Sequence, residues 1–223
     1  MRKEKNAYYF SVEGETEKWY LEWLQDAINQ CPEAQKNVKI ISKVNPDPVS
    51  YVKRMNPLEK TNVIHMFDFE SAEPEYETRF QGTLEKMNRA EKLGKSVKYK
   101  LGYSNLTFEL WIILHKSSCN RSLSDRKQYL PLINRAYGES FEKLSEYKKE
   151  NEFKRLLSKL ELKDVFAAIE RAKRIEAINR ENDYTLIKYK GFSYYRENPA
   201  LSVWESIETI LKDCRIDPEK LVS

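Results

Sequence analysis

The sequence predicts an α/β fold: a mostly parallel sheet with helices on both faces, joined to a helical subdomain. In the first half of the chain, short apolar runs typical of strands alternate with stretches that have helical periodicity. A β-α-β order of this kind builds parallel sheets. From about residue 124 to residue 180 the pattern is helical throughout and densely charged. A second, helical part of the molecule is therefore expected.

The strands and helices of the sheet follow one another in chain order. Runs rich in aromatic and β-branched residues predict four strands, at 7–12, 38–44, 62–67 and 96–103. Helical stretches lie between them, at 15–30, 47–55 and 76–93. Run 62–67 is almost continuously apolar, which predicts a central strand. Run 96–103 alternates apolar residues with Lys98 and Lys100, which predicts one solvent-exposed face.

The second half of the chain predicts helices. Residues 106–115 are markedly apolar, with Ser104 or Asn105 as a plausible cap. About three helices are expected between 124 and 180, one of them covering 145–160, and a final helix at 202–211 should pack back on the core. The expected division is a sheet domain at 1–120, a helical subdomain at 121–181 and a C-terminal segment at 182–223.

Composition restricts the class of protein without identifying it. The 223 residues are 40% hydrophobic and 33% charged, with a formal net charge of +4, which permits nucleic-acid binding but does not argue for it. Cys31, Cys119 and Cys214 are scattered and predict neither a disulfide framework nor a zinc site. No apolar stretch approaches the length of a membrane span. We expect a cytoplasmic protein with no membrane partner.

Two acidic segments each follow a predicted strand. Glu13 ends the first strand, and Asp68 and Glu70 follow the third. Because the carboxyl ends of parallel strands lie at the same edge of a sheet, these three side chains are expected to meet. Converging carboxylates repel one another unless a cation neutralises them. The sequence therefore predicts a site for Mg²⁺, with Mn²⁺ as a substitute, held by Glu13, Asp68 and Glu70.

Each acidic segment also has a simpler explanation. Glu17 lies in the first turn of a predicted helix, where the helix dipole favours an acid regardless of function. Asp68 and Glu70 share one side of their strand and could be an ordinary solvated pair at its end. Only the occurrence of both segments, each after its own strand, favours a metal site over these readings.

Two residues of the apolar 106–115 helix are further candidates. Glu109 would be costly to bury unpaired, by several kcal/mol or about that order, so it should face a cation, an arginine or a metal site. His115 lies six positions later, about 240° around the helix, and need not share that face. His115 is either catalytic or a surface residue favoured by the helix dipole. His65 lies inside an apolar strand, where a core role is the simpler expectation.

Basic residues occur in two stretches that could bind nucleic acid. One contains Lys95, Lys98 and Lys100, and the other interleaves Lys188, Lys190 and Arg196 with aromatic residues, as single-strand binding surfaces do. Each stretch alone is more simply a solvated helix face or a surface hairpin or loop. Phosphate-backbone binding becomes the better explanation if either stretch flanks the acidic segments.

Three motifs carry a family resemblance. The Glu13-Gly14-x-Thr16-Glu17 turn and the Asp68-Phe69-Glu70 segment resemble the signatures of the topoisomerase-primase (Toprim) fold. The run from Ser104 to His115 resembles the Ser-Asn-Pro-x-Phe-Glu-Leu-Trp-x-x-x-His run of RloB-like proteins, bacterial phage-defence proteins of abortive-infection type. The resemblance extends from Tyr8 to the C-terminal helix. It departs from the pattern at Glu70, where Asp is usual, and at Leu106, where proline is usual.

The resemblance implies a Toprim-like sheet and a Mg²⁺-dependent nuclease effector that cuts RNA or DNA. Asp68 and Glu70 would hold the metal, Glu13 would be a further ligand or general base, and Glu17 and Glu109 would help with a second ion. It also implies a separate AAA-type ATPase partner, and the chain has no Gly-rich phosphate loop of its own. A homo-oligomer is compatible with the sequence.

Two alternatives stay open. One is a catalytically silent adaptor that binds nucleic acid or the ATPase, and the other is nucleotidyl or phosphoryl transfer at the same metal site.

Overall fold

The computed structural model describes residues 3–221 and contains a four-stranded parallel sheet. Its strands, in chain order, are β1 (Lys5–Val12), β2 (Asn37–Val44), β3 (Thr61–Phe69) and β4 (Val97–Asn105). Their order across the sheet is β2-β1-β3-β4, with all three neighbouring pairs parallel. β2 and β3 therefore lie on opposite sides of β1, and the order in which strands are added to the sheet reverses at the β1–β3 pair. That is the place where open α/β sheets form a ligand-binding crevice.

Helices cover both faces of the sheet. The helices, in chain order, are α1 (Glu15–Gln30), α2 (Pro48–Lys53), α3 (Pro74–Glu91), α4 (Glu109–Leu114), α5 (Tyr129–Tyr137), α6 (Leu144–Tyr147), α7 (Glu150–Leu157), α8 (Leu162–Glu181) and α9 (Val203–Asp213). An antiparallel hairpin, β5 (Leu186–Tyr189) and β6 (Phe192–Tyr195), lies between α8 and α9. Short 3₁₀ helices cover Arg126–Gln128 and Pro218–Leu221.

The alternation of side chains along β3 separates two hydrophobic cores. Ile64 and Met66 face α1, α4 and the helices that follow, whereas Val63 and Phe67 face α2, α3 and the β5–β6 hairpin. The predicted fold class is confirmed, because a parallel sheet lies between helices on both faces. The arrangement is consistent with a Toprim-like α/β fold.

The helical part of the chain shares the first of these cores with the sheet. Trp111 of α4 is fully buried there, together with residues of α5, α7 and α8, and α9 adds Ile207 and Leu211. The division at residues 120 and 181 stays a prediction, and its outer ends, residues 1–2 and 222–223, lie outside the described residues.

The predicted helix 106–115 starts later than expected. Strand β4 continues to Asn105, which pairs with Phe69, and Leu106 then adopts a left-handed φ of 64°. The backbone N–H of Leu106 donates to the Phe69 carbonyl at 2.7 Å, which extends the pairing of β3 and β4. The predicted cap at Ser104 or Asn105 is therefore wrong, since both residues belong to the strand, and α4 begins at Glu109.

The predicted helix 145–160 is split into two. Lys149 has extended backbone angles (φ −68°, ψ 140°), which end α6 and start α7 in a new direction. The side chain of Lys148, at the break, reaches Glu109 of α4. The interruption thus places one cation beside a buried carboxylate.

Cys31, Cys119 and Cys214 are buried and free. Among residues 3–221, no helix combines the length and the apolar character needed to cross a lipid bilayer.

Asn105 joins the end of β4 to the segment after the hairpin. Its buried side-chain amide donates to the backbone carbonyls of Tyr195, Arg196 and Glu197, at 3.3, 2.9 and 2.9 Å. These bonds hold the segment against the carboxyl edge of the sheet.

Replacing Asn105 by alanine should lower the free energy of unfolding by about 1–3 kcal/mol, because three buried or partly buried carbonyls lose their donor. Urea unfolding followed by circular dichroism measures this loss. The matched control is Asn62→Ala on the exposed side of β3, expected within about 0.5 kcal/mol of the parent. Equal effects of the two substitutions would contradict the anchoring role of Asn105.

Candidate functional site

The carboxyl ends of β1 and β3 bring the two acidic segments together. The Glu13 backbone N–H donates to the Met66 carbonyl at 3.1 Å, which extends the pairing of the two strands by one residue. The Asp68 backbone N–H in turn donates to Oε2 of Glu13 at 3.1 Å. Parallel pairing in this register therefore places the Glu13 carboxylate beside Asp68, in the crevice between β1 and β3.

Two buried glutamates lie behind this pair. Glu17, in the first turn of α1, is 5% exposed and accepts a hydrogen bond from the Thr16 hydroxyl at 3.0 Å. Glu109, the first residue of α4, is 1% exposed and accepts from Thr107. Its Oε1 lies 2.9 Å from Nζ of Lys148, so the cation expected opposite Glu109 is this lysine.

The carboxylates of this cluster repel one another. Burial raises the pKa of Asp68 well above its usual range, and the charges of Glu17, Glu13 and Glu109 raise it further, against the opposing effect of Lys148. Burial raises the pKa of Glu17 to about 7, with Glu109 adding to the shift. Both shifts follow from negative charge gathered where water is partly excluded. The cluster therefore favours either protons or a cation.

Two cations from the helical part of the chain partly compensate this charge. Lys148 pairs with Glu109, and Arg126 pairs with Glu70. Burial disfavours the charge of each, but the neighbouring carboxylates outweigh it and raise both pKa values; Asp68 and Glu109 contribute in each case. The side chains of Lys148 and Arg126 remain 37% and 43% exposed, so both reach solvent and the carboxylates at once.

The donor atoms suit a hard cation that needs few protein ligands. Oε1 of Glu109 is buried without a well-formed hydrogen bond, and the buried Tyr147 hydroxyl has no partner in the part of the chain that the structure describes. Within residues 3–221, no three His, Cys, Asp or Glu side chains are already arranged to hold a metal together. Mg²⁺ keeps most of its waters and binds through one or two carboxylates plus substrate phosphates. The residues present fit that mode rather than an all-protein cage.

Both histidines lie in the hydrophobic cores. His115 is 1% exposed, with Nδ1 2.9 Å from the Trp111 carbonyl and Nε2 3.1 Å from the Tyr20 hydroxyl. Burial lowers the pKa values of His115 and His65 to about 4, so both rings are neutral near pH 7. The structure places His115 beside Tyr20 rather than with the carboxylates.

The first basic stretch lies at the other end of the sheet. Lys98 is paired in register with Asn62, six residues before Asp68 on β3, which is roughly 20 Å along the strand. Lys95 donates to backbone carbonyls at the end of α2, and Lys98 pairs with Glu91. Lys100 lines a separate cavity at the amino ends of the strands. The structure does not bring these lysines to the acidic cluster.

The second basic stretch runs along α3. Lys188 and Lys190 belong to the β5–β6 hairpin region, where Lys190 lies 4.0 Å from Glu85. Arg196 pairs with Glu77, in the first turn of α3 and therefore near the carboxyl edge of the sheet. Of the six predicted nucleic-acid contacts, Arg196 is thus the one placed on the same side as the carboxylates.

Sequence reasoning missed Lys148, Arg126 and Tyr147. All three come from the charged helical part, where a lysine or arginine every few residues gives no local signal for one of them. The only signal was indirect: Glu109 inside an apolar helix required a cation from elsewhere. Which cation it was depended on the break between α6 and α7.

The raised pKa of Glu17 predicts a pH-dependent stability. Protonated Glu17 stabilises the fold fully below about pH 4.5, and this contribution is lost as the pH rises through about 7. In EDTA, the difference in unfolding free energy between Glu17→Gln and the parent should grow on the order of 3 kcal/mol across that window. Urea titrations from pH 4 to pH 8 measure it.

The control for this titration is Glu15→Gln, an exposed acid in the same helical turn, which should leave the pH profile unchanged. Parallel pH profiles for Glu17→Gln and the parent would show that Glu17 does not titrate in this window.

Comparisons with known proteins give one result. Residues 8–210 match the sequence profile of a family described as RloB-like protein. Comparison with curated proteins found no significant match, and comparison with solved structures found none. The profile covers both acidic segments, the apolar α4 motif and the helical part that contributes Lys148 and Arg126. Since it spans nearly the whole sequence, the chain belongs to the RloB-like family.

Proposed function

We propose that this protein is a Mg²⁺-dependent, Toprim-type nuclease that hydrolyses phosphodiester bonds in RNA or DNA as an effector of anti-phage defence. The observation that carries the proposal is the environment of Asp68. Its carboxyl lies at the crevice between β1 and β3, beside Glu13, Glu17 and Glu109, and its pKa is raised well above the usual range. Perturbed acids in such a crevice are typical of functional sites.

Asp68 and Glu13 are the carboxylates that would hold the ion, because the bond from the Asp68 backbone to Glu13 fixes the two side by side. A bound Mg²⁺ would coordinate a phosphate oxygen and lower the pKa of a water molecule. Glu70 is paired with Arg126 and would join as a ligand after that pair opens. Glu109 is held by Lys148 and would act through the charge of the cluster.

The surrounding residues would handle protons and phosphate charge. Glu17, with a pKa of about 7, can hold or release a proton at a carboxyl oxygen near neutral pH, which suits a general acid or base. Arg126 and Lys148 reach solvent beside the carboxylates and can meet the negative charge of a phosphate backbone. His115 packs against Tyr20 in the core, so its role would be to hold the end of α4 in place against α1.

The cellular part of the proposal comes from the family. An AAA-type ATPase partner is proposed on that ground, because defence proteins of this type are usually encoded beside one. Within residues 3–221, the turn between β1 and α1 has one glycine, Gly14, and not the Gly-rich loop that cradles nucleotide phosphates.

Asp68→Asn should lower the rate of Mg²⁺-dependent cleavage by at least about a hundredfold while keeping the fold, since the amide preserves shape but removes a charged ligand. Incubation with tRNA and with plasmid DNA, with Mg²⁺ or EDTA, measures cleavage on gels. Circular dichroism checks the fold.

The matched control for that experiment is Asp26→Asn, an exposed acid on α1 away from the crevice, which should cleave at the parent rate. If the parent cleaves neither substrate yet binds nucleic acid or the ATPase equally well with and without Asp68, the adaptor hypothesis replaces the nuclease.

Lys148→Gln tests the electrostatics independently of cleavage. In EDTA at neutral pH it should lower the free energy of unfolding by roughly 1–3 kcal/mol, because the buried Glu109 carboxylate loses its neighbouring cation. The expected loss is smaller than for a fully buried pair, since the Lys148 side chain of the parent is partly exposed to solvent. Adding Mg²⁺ should then raise the melting temperature of this variant more than that of the parent, since the more negative cluster binds the ion more tightly.

Lys149→Gln, the exposed neighbour, is the control and should respond to Mg²⁺ as the parent does. A Mg²⁺ response of Lys148→Gln no larger than that of the parent would contradict a cation site at these carboxylates.

A further inference from the structure

A cavity lies between the acidic cluster and α3. It has a volume of about 250 Å³, with Glu13, Asp68 and Glu70 at one side. Tyr76 and Arg79, from the first two turns of α3, also line it. The cavity is small against the 300–1,000 Å³ typical of drug-sized ligands. It therefore fits a ligand no larger than one nucleotide unit.

The floor of this cavity is aromatic and contains one unpaired polar atom. Phe67, Phe80 and His65 are buried beneath it. Nδ1 of His65 is engaged with Ser11, at 2.7 Å from the hydroxyl and 3.2 Å from the carbonyl. Nε2, at the far tip of the ring, is buried and has no hydrogen-bond partner among residues 3–221. A buried imidazole nitrogen left unpaired is costly, and a ligand with a polar ring edge offers it a partner.

The wall formed by α3 offers a flat ring and a cation. The Arg79 guanidinium lies over the Tyr76 ring, 5.4 Å from its centroid. Arg79 also pairs with Glu75 one turn earlier, but both side chains are mostly exposed, at 64% and 70%. Such exposed pairs contribute little to stability, so Arg79 is free to turn toward a phosphate.

We propose that this cavity binds one unpaired nucleotide next to the phosphate that faces Asp68. The base stacks on Tyr76 with its edge toward His65, and Arg79 binds the neighbouring backbone phosphate. A base within a duplex is stacked on both faces and paired, and it cannot enter a one-ring cavity without leaving the helix. The preferred substrate is accordingly single-stranded. This inference rests on the proposed function for the identity of the ligand as nucleic acid.

Binding distinguishes the inference from cleavage. The full-length protein is titrated in Ca²⁺ with a fluorescent 12-nucleotide RNA, the DNA of the same sequence, and the corresponding duplexes, and anisotropy gives Kd. Both single strands should bind at least about tenfold more tightly than their duplexes. The comparison of RNA with DNA shows which sugar the site prefers. Duplexes that bind as tightly as single strands would overturn the inference.

Variants then test the two contacts. Tyr76→Leu should weaken single-strand binding roughly five- to a hundredfold, whereas Tyr76→Phe keeps the ring and should bind within about twofold of the parent. Arg79→Ala should weaken binding and reduce the slope of log K against log salt by about 0.7–1, the value of one lost phosphate contact.

The matched control is Arg89→Ala, which removes the same charge from an exposed position on α3 outside the cavity. Equal losses for Arg79→Ala and Arg89→Ala, or unchanged binding by Tyr76→Leu, would overturn the inference. If the binding pattern holds but no Mg²⁺-dependent cleavage occurs, the nucleotide site stands and the nuclease proposal fails. If Mg²⁺-dependent cleavage occurs without this binding pattern, the nuclease proposal stands and the nucleotide site fails.

Discussion

Repulsion among carboxylates at the carboxyl edge of the sheet is the constraint on which this structure depends. Glu13 follows β1, Glu17 lies in α1, Asp68 in β3 and Glu109 in α4. The cations that pair with this acidic edge, Lys148 and Arg126, come from other elements. The fold holds the four carboxylates together because each sits on or next to an element fixed by the hydrophobic cores on the two faces of the sheet. Core packing thus outweighs a local electrostatic penalty, as is common where a site is kept ready for a ligand.

The same constraint explains why the helical part is attached where it is. Lys148 and Arg126 reach the carboxylates from α6 and from the 3₁₀ turn before α5. Lys148 directly follows Tyr147, which is fully buried in the core shared with α1 and α4 and packs against Phe153. The charge state of the site and the docking of the helical part are therefore coupled. A cation bound between Glu13 and Asp68 would share that coupling.

The sequence was sufficient for what depends on local pattern and strand direction. The periodicity of the first half predicts the four strands, and their parallel order alone places Glu13 beside Asp68. It was insufficient where tertiary contacts override local preference. The sequence predicts a helix from residue 106 with a cap at Ser104 or Asn105, but pairing of Asn105 with Phe69 keeps both cap candidates in the strand and delays the helix to Glu109. Likewise nothing local to Lys149 indicates the break that turns Lys148 toward Glu109.

The difference between Glu13 and Glu17 shows how one segment can serve two roles. Glu13 ends a strand and is exposed, so its carboxylate can reach a ligand in the crevice. Glu17, four residues later, is one helical turn inside α1 and is buried against Glu109. The tight turn at Gly14 makes this division possible, since a Cβ there would lie 2.9 Å from Oε2 of Glu17. A side chain at position 14 would require this carboxylate oxygen of Glu17 to shift, and it would therefore change the electrostatic coupling between Glu17 and Asp68.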